Sequence, residues 1–206
     1  SENSLESGES YSDDALSDNT SGVIFAHDDL TINGSGTLNV TAAYKHGIVS
    51  KDDLVIAGGS ITVTAPSDAI HSNDSIRIAE ASITCDAKDD GLVVEKEAGY
   101  LYVESGEVTI TSEDDAIHTA GDFTIDGGEI TITAGDDAVH SDTAIVINDG
   151  TILISDCYEG LEAVTIDLNG GDTTIYPTDD GINANGGSSD SFGMGGGGGF
   201  GGMQGG

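Results

Sequence analysis

The sequence predicts an all-β fold, a right-handed single-stranded parallel β-helix of about 7–8 coils with ~22 residues and three short strands in each. Two observations carry this. A small residue followed by an aliphatic one recurs at Gly22, Gly47, Ala69, Gly91, Ala116, Ala138, Gly160 and Gly181, at spacings of 25, 22, 22, 25, 22, 22 and 21 residues. Each interval also holds the same three apolar pieces, as in AIHTA, DFTIDG and EITITA, which alternate with a period of two and are parted by Gly, Asn and acidic turns. A period of two belongs to strands rather than helices.

Three strands in one coil cannot bury their own apolar edges, so each coil must stack on the next in parallel. Isoleucine and valine then line up as interior ladders. At a strand spacing of about 4.8 Å the rod is roughly 35 Å long. The two spacings of 25 predict three-residue insertions around Ala43 to Lys45 and around Glu97 to Tyr100, bulging from corners without breaking the stack. A second column of turns, NGSG, AGGS, AEAS, ESGE, DGGE, NDGT and NGGD, marks another corner. Residues 21–185 form the solenoid in this division. Residues 1–20, rich in Ser, Asp and Glu, are expected to be a linker or N-terminal cap, and residues 186–206 a Gly-rich C-terminal tail.

Thirty-eight acidic residues against 5 basic ones give a formal charge of −33 over 206 residues. That balance argues against nucleic acid as a partner. It also calls for cations, which points to an extracellular, secreted or cell-surface setting, where calcium is plentiful. No apolar run is long enough to insert in a membrane, and the sequence reads as a mature or trimmed exported protein. Cys85 and Cys157 fall at different offsets in coils that are not neighbours, so no disulfide is expected between them.

Stacking converts repeats into columns. Immediately before the small residue stand Ser21, His46, Asp68, Asp90, Asp115, Asp137, Glu159 and Asp180, and one place earlier stand Asp89, Asp114, Asp136 and Asp179. Two carboxylates about 4.8 Å apart repel by about 3 kcal/mol at an effective dielectric near 20. The candidate metal ligands are therefore Asp68, Asp89, Asp90, Asp114, Asp115, Asp136, Asp137, Glu159, Asp179 and Asp180, with calcium as the ion that suits carboxylates from adjacent coils. A less regular acidic column runs through Asp28, Asp29, Asp52, Asp53, Asp74 and Asp122. His71, His118 and His140 share a column two residues after the small one, and with Tyr158 are candidate ligand-binding residues beside the acidic pairs.

The DDAIHT and DDAVHS segments, the intervening DFTIDGGEITITAG and the tail of Gly, Phe and Met resemble the bacterial carbohydrate-binding domain-containing proteins, over roughly residues 20–206. The resemblance implies a fold similar to polysaccharide lyases, calcium between coils, and plant cell-wall polymers such as pectic acid or cellulose as partners. It places the metal on Asp114, Asp115, Asp136 and Asp137, with Asp89, Asp90, Asp179 and Asp180 following the pattern. Lys45 with His46, and Tyr158 with Glu159, depart from it.

The expected function is calcium-dependent polysaccharide binding without catalysis. One alternative is a polysaccharide lyase, which needs a base such as Arg or Lys; Arg77 is the sole arginine and no basic cluster emerges from the register of the repeats. The other is an extracellular filament, built by head-to-tail stacking of solenoid ends into a homo-oligomer.

Overall fold

Alternation sends Leu54, Ile56, Ile61 and Val63 to the interior and leaves Thr62 and Thr64 exposed, and the computed structural model of the chain follows this pattern from coil to coil. It describes residues 1–12 and 21–184, all strand or turn, with no helix among them. Strand β1 (Glu2–Glu6) comes first. The first full coil contains β2 (Gly22–Ala26), β3 (Leu30–Asn33) and β4 (Thr37–Thr41). The next two contain β5 (His46–Ser50) with β6 (Asp53–Ala65), and β7 (Ile70–Ser72) with β8 (Ser75–Ala87). Then follow β9 (Leu92–Val94), β10 (Tyr100–Val103) and β11 (Gly106–Thr111), and after them β12 (Ile117–Thr119), β13 (Asp122–Ile125) and β14 (Glu129–Thr133). Strands β15 (Val139–Ile147) and β16 (Thr151–Cys157) make one further coil, β17 (Leu161–Leu168) and β18 (Asp172–Pro177) another, and β19 (Ile182–Ala184) starts the next. Every pairing is parallel and joins neighbouring coils, giving a β-solenoid of about seven turns roughly 22 residues apart.

Three interior ladders hold the stack. Ile48, Ile70, Leu92, Ile117, Val139 and Leu161 lie in register on the first face. Leu54, Ile76, Leu101, Phe123 and Ile145 do so on the second, and Ile61, Ile83, Val108, Ile130 and Ile152 on the third. All are essentially solvent-free. At about 1.5–3 kcal/mol for each large apolar side chain buried, these ladders supply the main stabilising contribution. Cys85 and Cys157 are buried free thiols, as their offsets predicted.

The corners differ in chemistry. Between the second and third faces a column of residues takes positive φ, and Gly128 illustrates why: its φ is 99°, and an added Cβ would lie 2.7 Å from Gly106 O. Glu80, with φ 54°, occupies the same corner without being glycine. Between the first and second faces buried hydroxyls turn the chain. Ser50 Oγ donates to Asp28 O and Asp53 O, Ser72 Oγ to Asp52 O, and Ser141 Oγ to Gly121 O. Both insertions lie at corners, at 43–45 and in the turn at 95–99, where Gly99 N donates to Lys96 O at 2.8 Å.

Within the segment read as a linker or cap, β1 adds to β4 in register, Leu5 opposite Val40. The Gly-rich tail assigned to 186–206 lies outside the described residues, as do residues 13–20. On the last coil Leu168, Tyr176 and Ile182 are about half exposed or more.

Candidate cation-binding corner

The third corner joins the third face back to the first and carries the acidic pairs. The chain approaches its neighbour so closely there that a Cβ on Gly91 would sit 2.4 Å from Ala116 O. Gly or Ala occupies that column from Gly22 to Gly181. Backbone bonds tie it coil to coil: Gly91 N donates to Asp115 O, Ala116 N to Asp137 O and Ala138 N to Glu159 O. The residue before the small one is thereby pinned with its side chain half inside, and the residue before that faces solvent.

The acidic pairs are thus two columns with different work. In the inner one Asp68, Asp115 and Asp137 are buried and Asp90 nearly so. One oxygen of the carboxylate serves the backbone of the following coil. Asp115 N donates to Asp90 Oδ1 at 3.1 Å and Asp137 N to Asp115 Oδ1 at 2.9 Å. The other oxygen faces a histidine three residues on. Oδ2 of Asp68 lies 2.8 Å from His71 Nδ1, Oδ2 of Asp115 3.2 Å from His118 Nδ1, and Oδ2 of Asp137 3.3 Å from His140 Nδ1. The outer column, Asp89, Asp114 and Asp136, is exposed. Asp89 accepts a hydrogen bond from Ser67 Oγ at 3.4 Å.

Electrostatics follow from this layering. Burial pushes Asp90 up to about 7, aided by the charges of Asp115 and Asp68. Asp114 and Asp136 are also raised, first by burial and then by neighbouring aspartates. Asp68 goes the other way. Burial raises it, but hydrogen bonds with His46 and His71 outweigh burial and leave it well below the usual carboxylate range. The hydrogen bond with Asp137 lifts His140 to about 9, against the opposing effect of burial. His118 is raised by its bond with Asp115.

His71, His118 and His140, expected to line the groove, do stand beside the acidic corner, with His118 and His140 ring centroids 5.1 Å apart. Their Nδ1 atoms point to the inner carboxylates. The expected ligands divide into compact groups: Asp89, Asp90 and Asp114 place one oxygen each within 4.8 Å of one another, and Asp115 and Asp137 do so with a nitrogen of His140. At the C-terminal end Asp179 and Asp180 are exposed. Tyr158, about half exposed, hydrogen-bonds Asp179, which raises its phenol, and Glu159 Oε2 accepts from Asn183 Nδ2 at 2.9 Å.

Two participants escaped the sequence. His46 occupies the acidic column and reads there as a departure from the pattern, yet its Nδ1 lies 3.1 Å from Asp68 Oδ2. Glu162 stands in register with His140 and reaches its Nδ1 at 3.2 Å. The stacking register was the available signal for both. In the second acidic column, Asp28, Asp29 and Asp52 also group within 4.8 Å, while Asp74 is engaged by Lys96.

A parallel β-solenoid carrying a layered carboxylate and imidazole corner defines the class of this protein. The chain belongs to the carbohydrate-binding domain-containing protein family, whose model matches residues 1–198. A curated relative of that description from Acetivibrio thermocellus is 50% identical over 42 residues, a stretch covering 20% of this chain and 15% of the relative's length. No solved structure matches the chain.

Proposed function

We propose that this solenoid binds polysaccharide outside the cell, without turnover, through calcium held along the acidic corner. The grouping of Asp89, Asp90 and Asp114 carries this reading. Three hard oxygen donors from two adjacent coils converge, and Asp90, pushed up to about 7, marks a place short of positive charge. Calcium takes such donors at about 2.3–2.6 Å and accepts six to eight of them, so the donor set fits the ion. Because Asp89 and Asp114 are exposed, coordination positions remain open towards solvent. A calcium ion there supplies positive charge to a uronate carboxylate, which this acidic surface would otherwise repel.

Family membership supports carbohydrate as the partner, and the calcium bridge favours pectic acid over cellulose. The placement of the basic residues speaks against lyase chemistry. Arg77 is 2.5 Å from Glu104, and Lys88 and Lys96 pair with Glu113 and Asp74, so each is committed to a carboxylate on a different part of the surface.

Calorimetric titration of calcium into chelator-stripped protein, followed by retention on immobilised polygalacturonate and on cellulose with and without calcium, tests the reading. Saturable calcium binding and calcium-dependent retention on polygalacturonate are expected. Retention indifferent to chelation, or no heat of calcium binding, would overturn it. The exposed Leu168, Tyr176 and Ile182 favour a second reading, in which solenoid ends stack into filaments; finding only monomers by light scattering in millimolar calcium removes it.

A further inference from the structure

We infer that His46, Asp68 and His71 form a second metal site of different chemistry, one that takes a single zinc-class ion rather than calcium. One carboxylate oxygen, Asp68 Oδ2, stands 3.1 Å from His46 Nδ1 and 2.8 Å from His71 Nδ1. The ligand atoms of all three residues lie within 4.8 Å of one another. Bonds of about 2.0–2.1 Å to a tetrahedral zinc ion set neighbouring ligand atoms roughly 3.3 Å apart. The two spacings to Asp68 Oδ2 lie within about half an ångström of that value.

The ring of His46 is set against the backbone of the next coil: the Asp68 N–H lies 3.3 Å from His46 Nδ1, and a metal ion on Nδ1 takes the place of that contact.

Each imidazole is held for the task. His71 has its other nitrogen, Nε2, 3.6 Å from Glu95 Oε2, the arrangement in which a carboxylate behind a ligating histidine fixes the ring. His46 follows Lys45, whose φ of 62° is rare for a side-chain-bearing residue and lies in the insertion at 43–45. That insertion delivers an imidazole to a column where other coils present aspartate. Two nitrogen donors and one oxygen suit zinc and its neighbours, whereas calcium prefers oxygen alone. The side chains of His46 and His71 are 21% and 17% exposed, so a water molecule can complete the fourth position.

The site shares no ligand with the cluster at Asp89, Asp90 and Asp114, and titrating zinc with calcium already present lets the two readings fail separately. The test is zinc titration of the chelator-stripped full chain against a chromophoric chelator, in millimolar calcium. We expect one equivalent of zinc held despite the calcium, with His46→Asp and His71→Val each weakening it about 100-fold. Val49 and Val93 flank His71 in the same column, so valine fits the stack there, and aspartate restores at position 46 the residue other coils carry. Cobalt loaded into the unaltered chain should show the visible bands of a tetrahedral ion, a readout that needs no variant. Displacement by calcium, undiminished zinc affinity in His46→Asp and His71→Val, or absence of the tetrahedral cobalt spectrum would each overturn the assignment.

Discussion

Asp115 accepts the backbone N–H of Asp137 on Oδ1 at 2.9 Å, so a side chain of one coil completes the backbone hydrogen bonding of the next. Its other oxygen is engaged by His118 at 3.2 Å. Asp115→Ala removes the acceptor and strands a buried amide, which costs about 1–3 kcal/mol. Asp115→Asn keeps an oxygen at Oδ1 and should lose clearly less. Guanidinium denaturation of both variants in chelator separates the two, and equal losses would assign the effect to charge rather than to the amide.

The raised carboxyl of Asp90 predicts how stability responds to acid when no calcium is present. Its folded value of about 7 lies above the ordinary 3.8, so the folded chain holds this proton more tightly than the unfolded one. The contribution favours the fold at low pH and is lost as pH rises from about 4 through about 7. Melting temperatures of chelator-treated protein should fall across that window, Asp90→Asn should flatten the fall, and calcium should restore the melting temperature above pH 7.

His140 titrates higher. Its folded value of about 9 exceeds the ordinary 6.5, so the stabilisation from its pairing is fully present below 6.5 and disappears as pH rises through about 9. The stability difference between the unaltered chain and His140→Gln should therefore be largest below pH 6.5 and close by pH 9. A difference independent of pH would show that the ring acts by packing alone.

Phe123 is the largest fully buried side chain among the described residues and stacks between Leu101 and Ile145 in the second ladder. Phe123→Ala should cost about 3–5 kcal/mol, read as a lowered denaturation midpoint. Thr124→Ala, on the outward side of the same strand, should cost within about 0.5 kcal/mol.

Much of this architecture was legible in the chain. The small residue before each first strand, the alternation inside DFTIDG and EITITA, and the two spacings of 25 located the coils, the ladders and both insertions. The acidic doublets were legible as columns, but their layering was not. Asp89 and Asp90 are adjacent and chemically identical, yet one faces solvent and the other hands an oxygen to the amide of Asp115. Which of them turns inward depends on the path of the chain around the corner. His46 read as a break in the pattern because its approach to Asp68 on the next coil does not show in spacing alone.

The sequence by itself determined the solenoid, its period, the identity of its interior ladders and the accumulation of negative charge on one corner. Those follow from alternation and repetition, because stacking identical coils is the way to bury their apolar edges. Only the tertiary structure decided which carboxylate oxygens serve backbone amides, which meet imidazoles and which stay open to a cation. Those choices rest on atom-to-atom distances between coils, set by close approach at the small residues and by the register of neighbouring strands. A repeat specifies which residues stack; the packed corner decides what each of their oxygens can bind.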